Sequence, residues 1–576
     1  MERVRWKRAD LWVLLGFVVM AVWVTSRLWL DPNGRVLAGN DDDHGIFLFM
    51  LAHAERVVFD GASLLYENRF NVPVGVNMMA NTSILALAIP LAPITHFFGG
   101  GVTVVLLITF GLGGTAFAWY WVLSRHLGRT RLAAGIGAAF CGFGPAMISH
   151  ANGHVNFVSN YVLPFIVWQV LRLREPGRVV RGGVILGLLI VLQIFINEEA
   201  LLFVAMTLGI FAVSYALMAR DEARRVWKHF TAGLAVAAAT SGVLTAYPLW
   251  IQFMGKGSYH GQPFEPSKIV TDLASLPAFA RLSLAGITKV TEVLSLSETE
   301  DNTFYGPFGL LMIVVSIMML WRSPAMRATA IAGIAMLVVS MGPELRLVGV
   351  KTDVPLPFAL IAHLPVIDLV SVTRFAMVPS MVAGVLLAFA IDRIGSYPTK
   401  TRKRFWIGMT LALVPLFPLP LPVVSGAPQP EFLTKGIWRQ YVPEGRTLVT
   451  VPLPDVTSGR TGQRWAALNN LDYATPRGYF MGPANARKGD NTGSWSAAPR
   501  YTSRMFRTLG DTGNMPMLTE ENLEKIRKDF RYWRTAVVVL VPKTKHGNKM
   551  RTVLVSALGK PQLVGGVEIW QVPSEG

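Results

Sequence analysis

The chain has 576 residues, of which 52% are hydrophobic and 16% charged, with a formal net charge of +18. A mean hydropathy of +0.41 and repeated apolar runs near the roughly 20 residues that cross a bilayer as a helix exclude a soluble globular protein and predict a polytopic membrane protein. The positive charge belongs in short loops that meet anionic lipid and does not imply nucleic acid, and a single cysteine, Cys141, excludes an intramolecular disulfide or a cysteine-built zinc site.

The chain begins Met1-Glu2-Arg3-Val4-Arg5-Trp6-Lys7-Arg8 and runs apolar from about Leu11 to Leu30. The start is basic like a signal peptide, but the run is long and no small-residue cleavage site follows. A retained helix with a cytoplasmic N-terminus is expected. A large loop, residues 31–83, comes next and carries Gly39-Asn40-Asp41-Asp42-Asp43-His44. After it, Ile46–Val58 has Phe47, Met50, Leu51 and Ala54 at helical spacing, which predicts a helix lying in the membrane interface. Tyr66–Asn81 is rich in Asn, Pro and Gly and reads as loop.

Ser83–Phe98 is apolar but short, and Pro90 and Pro93 interrupt it. Further spans read as 102–124, 132–149, 156–172, 182–196, 200–218, 230–251, 304–321, 328–343, 371–391 and 405–423. If Ser83–Phe98 does not cross, the loops Arg125–Arg131, Arg172–Arg181, Arg220–Lys228, Arg322–Arg327 and Arg393–Arg404 are cytoplasmic, and each is basic. The opposite choice puts all five outside, against the positive-inside rule. The expectation is about eleven transmembrane helices in a multi-pass protein of the plasma membrane. Asp41–Asp43, His150–Asn156, Asn197–Glu199, Gly255–Thr303 and Gly342–Asp368 then share the extracytoplasmic side.

Spans end at the linker Pro418-Leu419-Pro420-Leu421-Pro422. This predicts two domains, a transmembrane module over 1–425 and a small soluble α/β domain over 426–576, extracytoplasmic by the same parity. Thr447–Val451 and Ala536–Val541 read as buried strands, Val567–Val572 as a last strand, and Thr519 as the cap of a helix through Ile526.

Three adjacent carboxylates repel one another and are costly to desolvate, so Asp41, Asp42 and Asp43 mark either a site or a well-solvated loop. As a site they serve as a general base, or they hold a divalent cation (magnesium, manganese or calcium) with Asp41 and Asp43 as the candidate ligands. In His150-Ala151-Asn152-Gly153-His154-Val155-Asn156 two histidines four apart fit a metal if helical, or else an interfacial loop. Asn197-Glu198-Glu199 puts two acids beside a membrane core, as a site or as a helix cap. Arg374, at the start of a span, fits a lipid phosphate or snorkels to the interface. Glu298, Glu300, Asp301 and Tyr305 are weaker candidates.

An acidic motif in the first outer loop, a following amphipathic helix, many spans and a soluble outer tail resemble the GT-C membrane glycosyltransferases. Asn71-Val72-Pro73-Val74-Gly75-Val76-Asn77-Met78-Met79-Ala80-Asn81-Thr82-Ser83 is similar to a pattern in a bacterial group of GT-C-like membrane proteins. So are Gly153-His154-Val155-Asn156, Phe195-Ile196-Asn197-Glu198-Glu199, Gly342-Pro343-Glu344-Leu345, Pro355-Leu356-Pro357, Arg374-Phe375 and Gly478-Tyr479-Phe480. The resemblance implies transfer of a sugar from a polyprenyl-phosphate-linked donor to a cell-envelope glycan or glycolipid, with inversion at the anomeric centre. It implies one of Asp41–Asp43 as catalytic base, and His44, His150, His154, Asn156, Asn197, Glu198, Glu199 and Arg374 as substrate-binding residues. Two other readings compete: a lipid or saccharide transporter, whose signs would be paired repeats and charges deep in spans, and a non-catalytic envelope-assembly protein.

Overall fold

The computed structural model describes residues 7–265, 268–485 and 489–573. Among these, six helices are long and apolar enough to cross a membrane: Arg8–Trp29 (α1), Gly100–His126, Arg131–Ala151, Glu198–Met218, Arg220–Met254 and Val372–Ile394. Leu163–Arg172, Val179–Ile194, Gly306–Leu320 and Pro324–Ser340 are shorter apolar helices, and Thr399–Leu413 follows them. Each expected span overlaps one of these helices, but the one over 156–172 begins only at Leu163 and the one over 405–423 ends at Leu413. Ser83–Phe98 is instead two short pieces, Leu85–Ala88 and Ala92–Phe98, with Pro90 between them. At about 1.5 Å per residue neither piece reaches across a bilayer.

The chain divides into two compact units. The first comprises the described parts of Met1–Leu30, Val105–Ala246 and Phe264–Pro422. Its helices meet through small residues: a Cβ added at Gly137 would lie 2.4 Å from the Gly384 carbonyl oxygen. Helices Arg131–Phe143 and Met377–Ile394 therefore pack backbone to backbone, the usual way to gain dispersion contacts where no water is displaced. Phe140, Tyr305, Met312, Leu386, Met409 and Leu416 fill the core beside them. Asp10 on α1 is fully buried, yet it accepts from Tyr120 at 2.6 Å, from Arg131 at 3.0 Å and from Arg125. One carboxylate thus ties α1 to two arginines of the first basic turn.

The second unit comprises the described parts of Asp31–Val104, Tyr247–Pro263 and Val423–Gly576. Its sheet contains β1 (Thr447–Val451), β2 (Thr535–Leu540), β3 (Gln562–Val564) and β4 (Val567–Gln571), in the order β3–β4–β2–β1. β1 and β2 are parallel, and the other pairs are antiparallel. Apolar residues of β1 and β2 pack on Phe506, Ile526, Phe530 and Leu554 from helices Tyr501–Thr512, Glu520–Tyr532 and Gly547–Leu558. Thr519 caps the second of these helices, accepting from the Asn522 amide at 3.3 Å.

The same unit contains the acidic stretch, and here the structure corrects the expectation of a loop followed by an interfacial helix. Helix α2 runs Asp41–Phe59, so the three acids form its first turn, where the helix dipole favours negative charge. Its middle is buried nearly all round, from Phe47 to Arg56. Polar residues survive there because they are paired. His53 Nδ1 lies 2.8 Å from Glu67, His53 Nε2 donates to the Leu64 carbonyl at 3.2 Å, and Arg56 donates to Glu67. Burial pushes the Glu67 carboxyl up, but His53 and Arg56 outweigh it and hold it below the usual range.

The tail threads along this helix. Thr475 exchanges backbone bonds with Arg69 and Val72, and Asn81 clasps Met481 by donating to its carbonyl at 2.9 Å and accepting from its amide at 2.7 Å. Phe70 stacks on Phe49 of α2 at 4.3 Å. A Cβ on Gly478 would fall 2.0 Å from the Phe70 ring, so only glycine lets the tail pass here.

Candidate active site

The predicted residues gather into two polar clusters, one in each unit. In the second unit, helix α3 (Arg460–Leu468) approaches the first turn of α2. Arg460 donates through Nη1 to Asp41 and through Nη2 to Asp42 Oδ2 at 3.2 Å. The Tyr479 hydroxyl donates to Asp43 Oδ1 at 3.1 Å. Gln463 of α3 holds Tyr479 by its backbone, accepting from its amide at 2.7 Å and donating to its carbonyl at 3.3 Å. Burial, and then the charge of Asp43, push the Asp42 carboxyl up, against the opposing pull of Arg460.

His44 follows the acids but points away from water, being 2% exposed, and its Nδ1 has no partner among the described residues. Burial, with the nearby charge of Arg464, lowers it to about 4, so it is a neutral imidazole near pH 7.

In the first unit, His150 ends the helix Pro145–Ala151 and His154 precedes the short helix Val155–Val158. Their Nδ1 atoms lie 2.8 Å apart, and Glu300 Oε2 is 3.8 Å from His150 Nε2. All three side chains are buried, with donor atoms within 4.8 Å of one another. Arg374 joins this cluster to the acids after residue 197. Its Nε donates to Glu300 Oε1 at 2.9 Å and its Nη1 to Glu199 Oε2 at 3.0 Å, and the guanidinium lies 4.8 Å from the Phe157 ring centre. Asn302 donates to the other Glu300 oxygen at 3.0 Å. Glu300 is thus the hub of the cluster, although its sequence marks it as one of several interfacial acids.

Not every predicted residue serves the cluster through its side chain. Asn197 caps helix Glu198–Met218 by accepting from the Ala200 amide at 3.2 Å. Glu198 lies in the first turn of that helix, and Asn156 is buried at 5% exposure. Arg374 spends Nε and Nη1 on two carboxylates, which leaves Nη2 outside these bonds. Arg460 and Gln463 are absent from the predicted set, and Tyr479 enters it only through the Gly478-Tyr479-Phe480 run.

The His150–His154–Glu300 donor set, two imidazoles and one carboxylate, fits a borderline divalent ion better than calcium or magnesium, which favour all-oxygen sets. The unpartnered, buried Nε2 of His150 agrees with such a ligand.

No protein-family model matches the sequence, and no curated protein matches it. Solved structures do. The chain is similar to the archaeal oligosaccharyltransferase AglB from Archaeoglobus fulgidus in complex with an inhibitory peptide and a dolichol-phosphate, with a TM-score of 0.52 and 14% identity over 96% of this chain and 71% of that one. It is also similar to the Archaeoglobus fulgidus oligosaccharyltransferase in complex with zinc and sulfate, with a TM-score of 0.51 and 14% identity over 95% and 70% of the two chains. At this identity the likeness is one of fold alone: the chain folds like these oligosaccharyltransferase structures.

Proposed function

We propose that the protein is a membrane glycosyltransferase that moves a sugar from a polyprenyl-phosphate-linked donor to a cell-envelope glycan or glycolipid acceptor. The observation that carries this reading is the acidic first turn of α2, held by Arg460 and Tyr479 within a GT-C-like fold. The dolichol-phosphate bound to the Archaeoglobus enzyme supports a lipid-linked donor. The basic turns support an extracytoplasmic site, by the positive-inside rule.

In this reaction the acceptor hydroxyl attacks the anomeric carbon as the bond to the phosphate oxygen breaks, and the lipid phosphate leaves with the electron pair. A carboxylate of Asp41–Asp43 takes the hydroxyl proton. A single displacement inverts the anomeric centre, and retention in the product would overturn that step. Within the first unit, Arg374 keeps a guanidinium edge that Glu199 and Glu300 do not engage, and that edge suits a phosphate oxygen. His150, His154, Asn156, Glu198 and the capped turn at Asn197 are the substrate-binding candidates of that same unit.

His150, His154 and Glu300 would hold a divalent cation, and bound there it would supply Lewis-acid stabilisation of phosphate charge. The reading is tested by incorporation of labelled sugar from polyprenyl-phosphate donors into envelope glycans, in membranes carrying wild type and Asp→Asn variants at positions 41, 42 and 43 at matched expression. Transfer lost in one variant supports the enzyme, while equal transfer in all of them overturns the role of the acids.

A further inference from the structure

The acidic turn of α2 already carries a cation, supplied by the chain itself. Arg460 spans Asp41 and Asp42, and its Nε and Nη2 also donate to the Val456 carbonyl at 3.3 and 3.0 Å. The guanidinium is therefore fixed from both sides, a geometry that its rigid planar fork allows and an ammonium does not.

The chain around Arg460 is shaped for this placement. Gly459, at φ +65°, precedes α3, and a Cβ there would lie 2.3 Å from the Leu453 carbonyl group. A side chain at that position is doubly penalised, by the backbone angle and by the contact. Asp455, in the same loop, is held by Arg477 at 2.8 Å, and Arg477 is two residues from Tyr479. The loop that aims Arg460 at Asp41 and Asp42 and the segment that aims Tyr479 at Asp43 are thus one connected assembly.

Adjacent carboxylates normally share a divalent ion, which needs their oxygens free to converge on it. Here oxygens from two of the three are turned onto a guanidinium. The third accepts from the Tyr479 hydroxyl.

We propose that Arg460 is the resident cation of the acidic turn: it takes the place of a divalent metal at Asp41 and Asp42 and holds that pair as a fixed anion, while Asp43, which accepts from Tyr479, receives a substrate proton. Only the last clause rests on the glycosyltransferase reading. Arg460 acts through the carboxylates and is a positioning residue.

The test is a Mn2+ titration of the purified full-length protein in detergent, followed by electron paramagnetic resonance. It compares wild type, Asp41→Asn/Asp42→Asn, Arg460→Lys, Arg460→Met, and Arg460→Met combined with Asp41→Asn/Asp42→Asn. An ion held by His150, His154 and Glu300 is common to all five and cancels. Wild type, the double Asn variant and Arg460→Lys are expected to bind the same number of ions. Arg460→Met is expected to bind about one more per chain, which the added Asn substitutions remove. Mn2+ should also restore the melting temperature that Arg460→Met loses, an effect that a merely structural contact would not show.

An ion in wild type that Asp41→Asn/Asp42→Asn removes would overturn the proposal, and this comparison does not require Arg460→Met to fold. No added ion in a folded Arg460→Met would overturn it too. Transfer assays decide the last clause: loss confined to Asp43→Asn supports it, and loss on Asp41→Asn with Asp43→Asn active overturns it. Absence of transfer in wild type overturns the transferase reading together with that clause, while the ion count still decides the role of Arg460.

Discussion

The hydroxyl of Tyr479 donates to Asp43 Oδ1 at 3.1 Å across 436 positions of sequence. Through this bond the Gly478-Tyr479-Phe480 run reaches the acids directly, and Gln463 holds its backbone in place. Tyr479→Phe removes this bond and keeps the ring. A loss of stability of about 1 kcal/mol or less is expected, with a fall in kcat of about tenfold at unchanged folding. Thermal melting and sugar transfer on the same preparation check the pair; a large loss of melting temperature with full activity would contradict it.

His44 predicts an acid-sensitive fold. Its pKa is lowered from the model value 6.5 to about 4. The unfolded chain therefore takes up a proton near pH 6.5 that the folded chain refuses until about pH 4, so stability falls as pH drops through that window. The effect amounts to about 3 kcal/mol for a shift of this size. A pH series of melting temperatures on wild type and His44→Gln checks it, the variant showing a flatter profile between those limits. Parallel profiles would rule it out.

Asp42 predicts the opposite sign of effect. Its carboxyl is raised, first by burial and then by Asp43, so the folded state holds its proton to higher pH than the unfolded state does. Stability contributed by the protonated form is present at low pH and declines as pH rises past the unfolded value of about 3.9. Asp42→Asn should therefore be more stable than wild type near pH 7, with a gain that vanishes below about pH 4. Denaturation at the two pH values measures it, and a variant less stable at pH 7 would show that the Arg460 pair outweighs the burial.

The helices were legible because apolar runs near bilayer length leave few alternatives, and Pro90 shows locally why Ser83–Phe98 breaks. Thr519 and the alternating strand Val567–Gln571 were legible for the same local reason. The course of α2 was not. Its buried His53, Glu55 and Arg56 mimic an exposed polar face, and only Glu67 and His96, which pair with them from other segments, reveal that they are inside. Arg460 was equally hidden: one of 54 Lys and Arg residues, it lies 419 positions from Asp41 and has no local feature to mark it. Glu300 sat in the run Glu298-Thr299-Glu300-Asp301-Asn302, where residue types alone do not tell a hub from a solvated acid.

That hub carries a prediction about metal. Glu300→Gln removes the charge shared by Arg374 and the two histidines, while keeping the shape. Zinc or manganese retained by the purified protein, measured by elemental analysis, is expected to fall by about tenfold or more. The melting temperature should fall as well, because Arg374 keeps Glu199 alone. Unchanged metal content in Glu300→Gln would remove the cluster as a cation site.

The most direct test of the account is transfer of labelled sugar from polyprenyl-phosphate donors by membranes carrying wild type, Asp43→Asn and Arg460→Lys. The account predicts transfer by wild type, a loss of about a hundredfold or more in Asp43→Asn, and retention within about tenfold in Arg460→Lys. Equal transfer by wild type and Asp43→Asn, or none by wild type with any such donor, would contradict it.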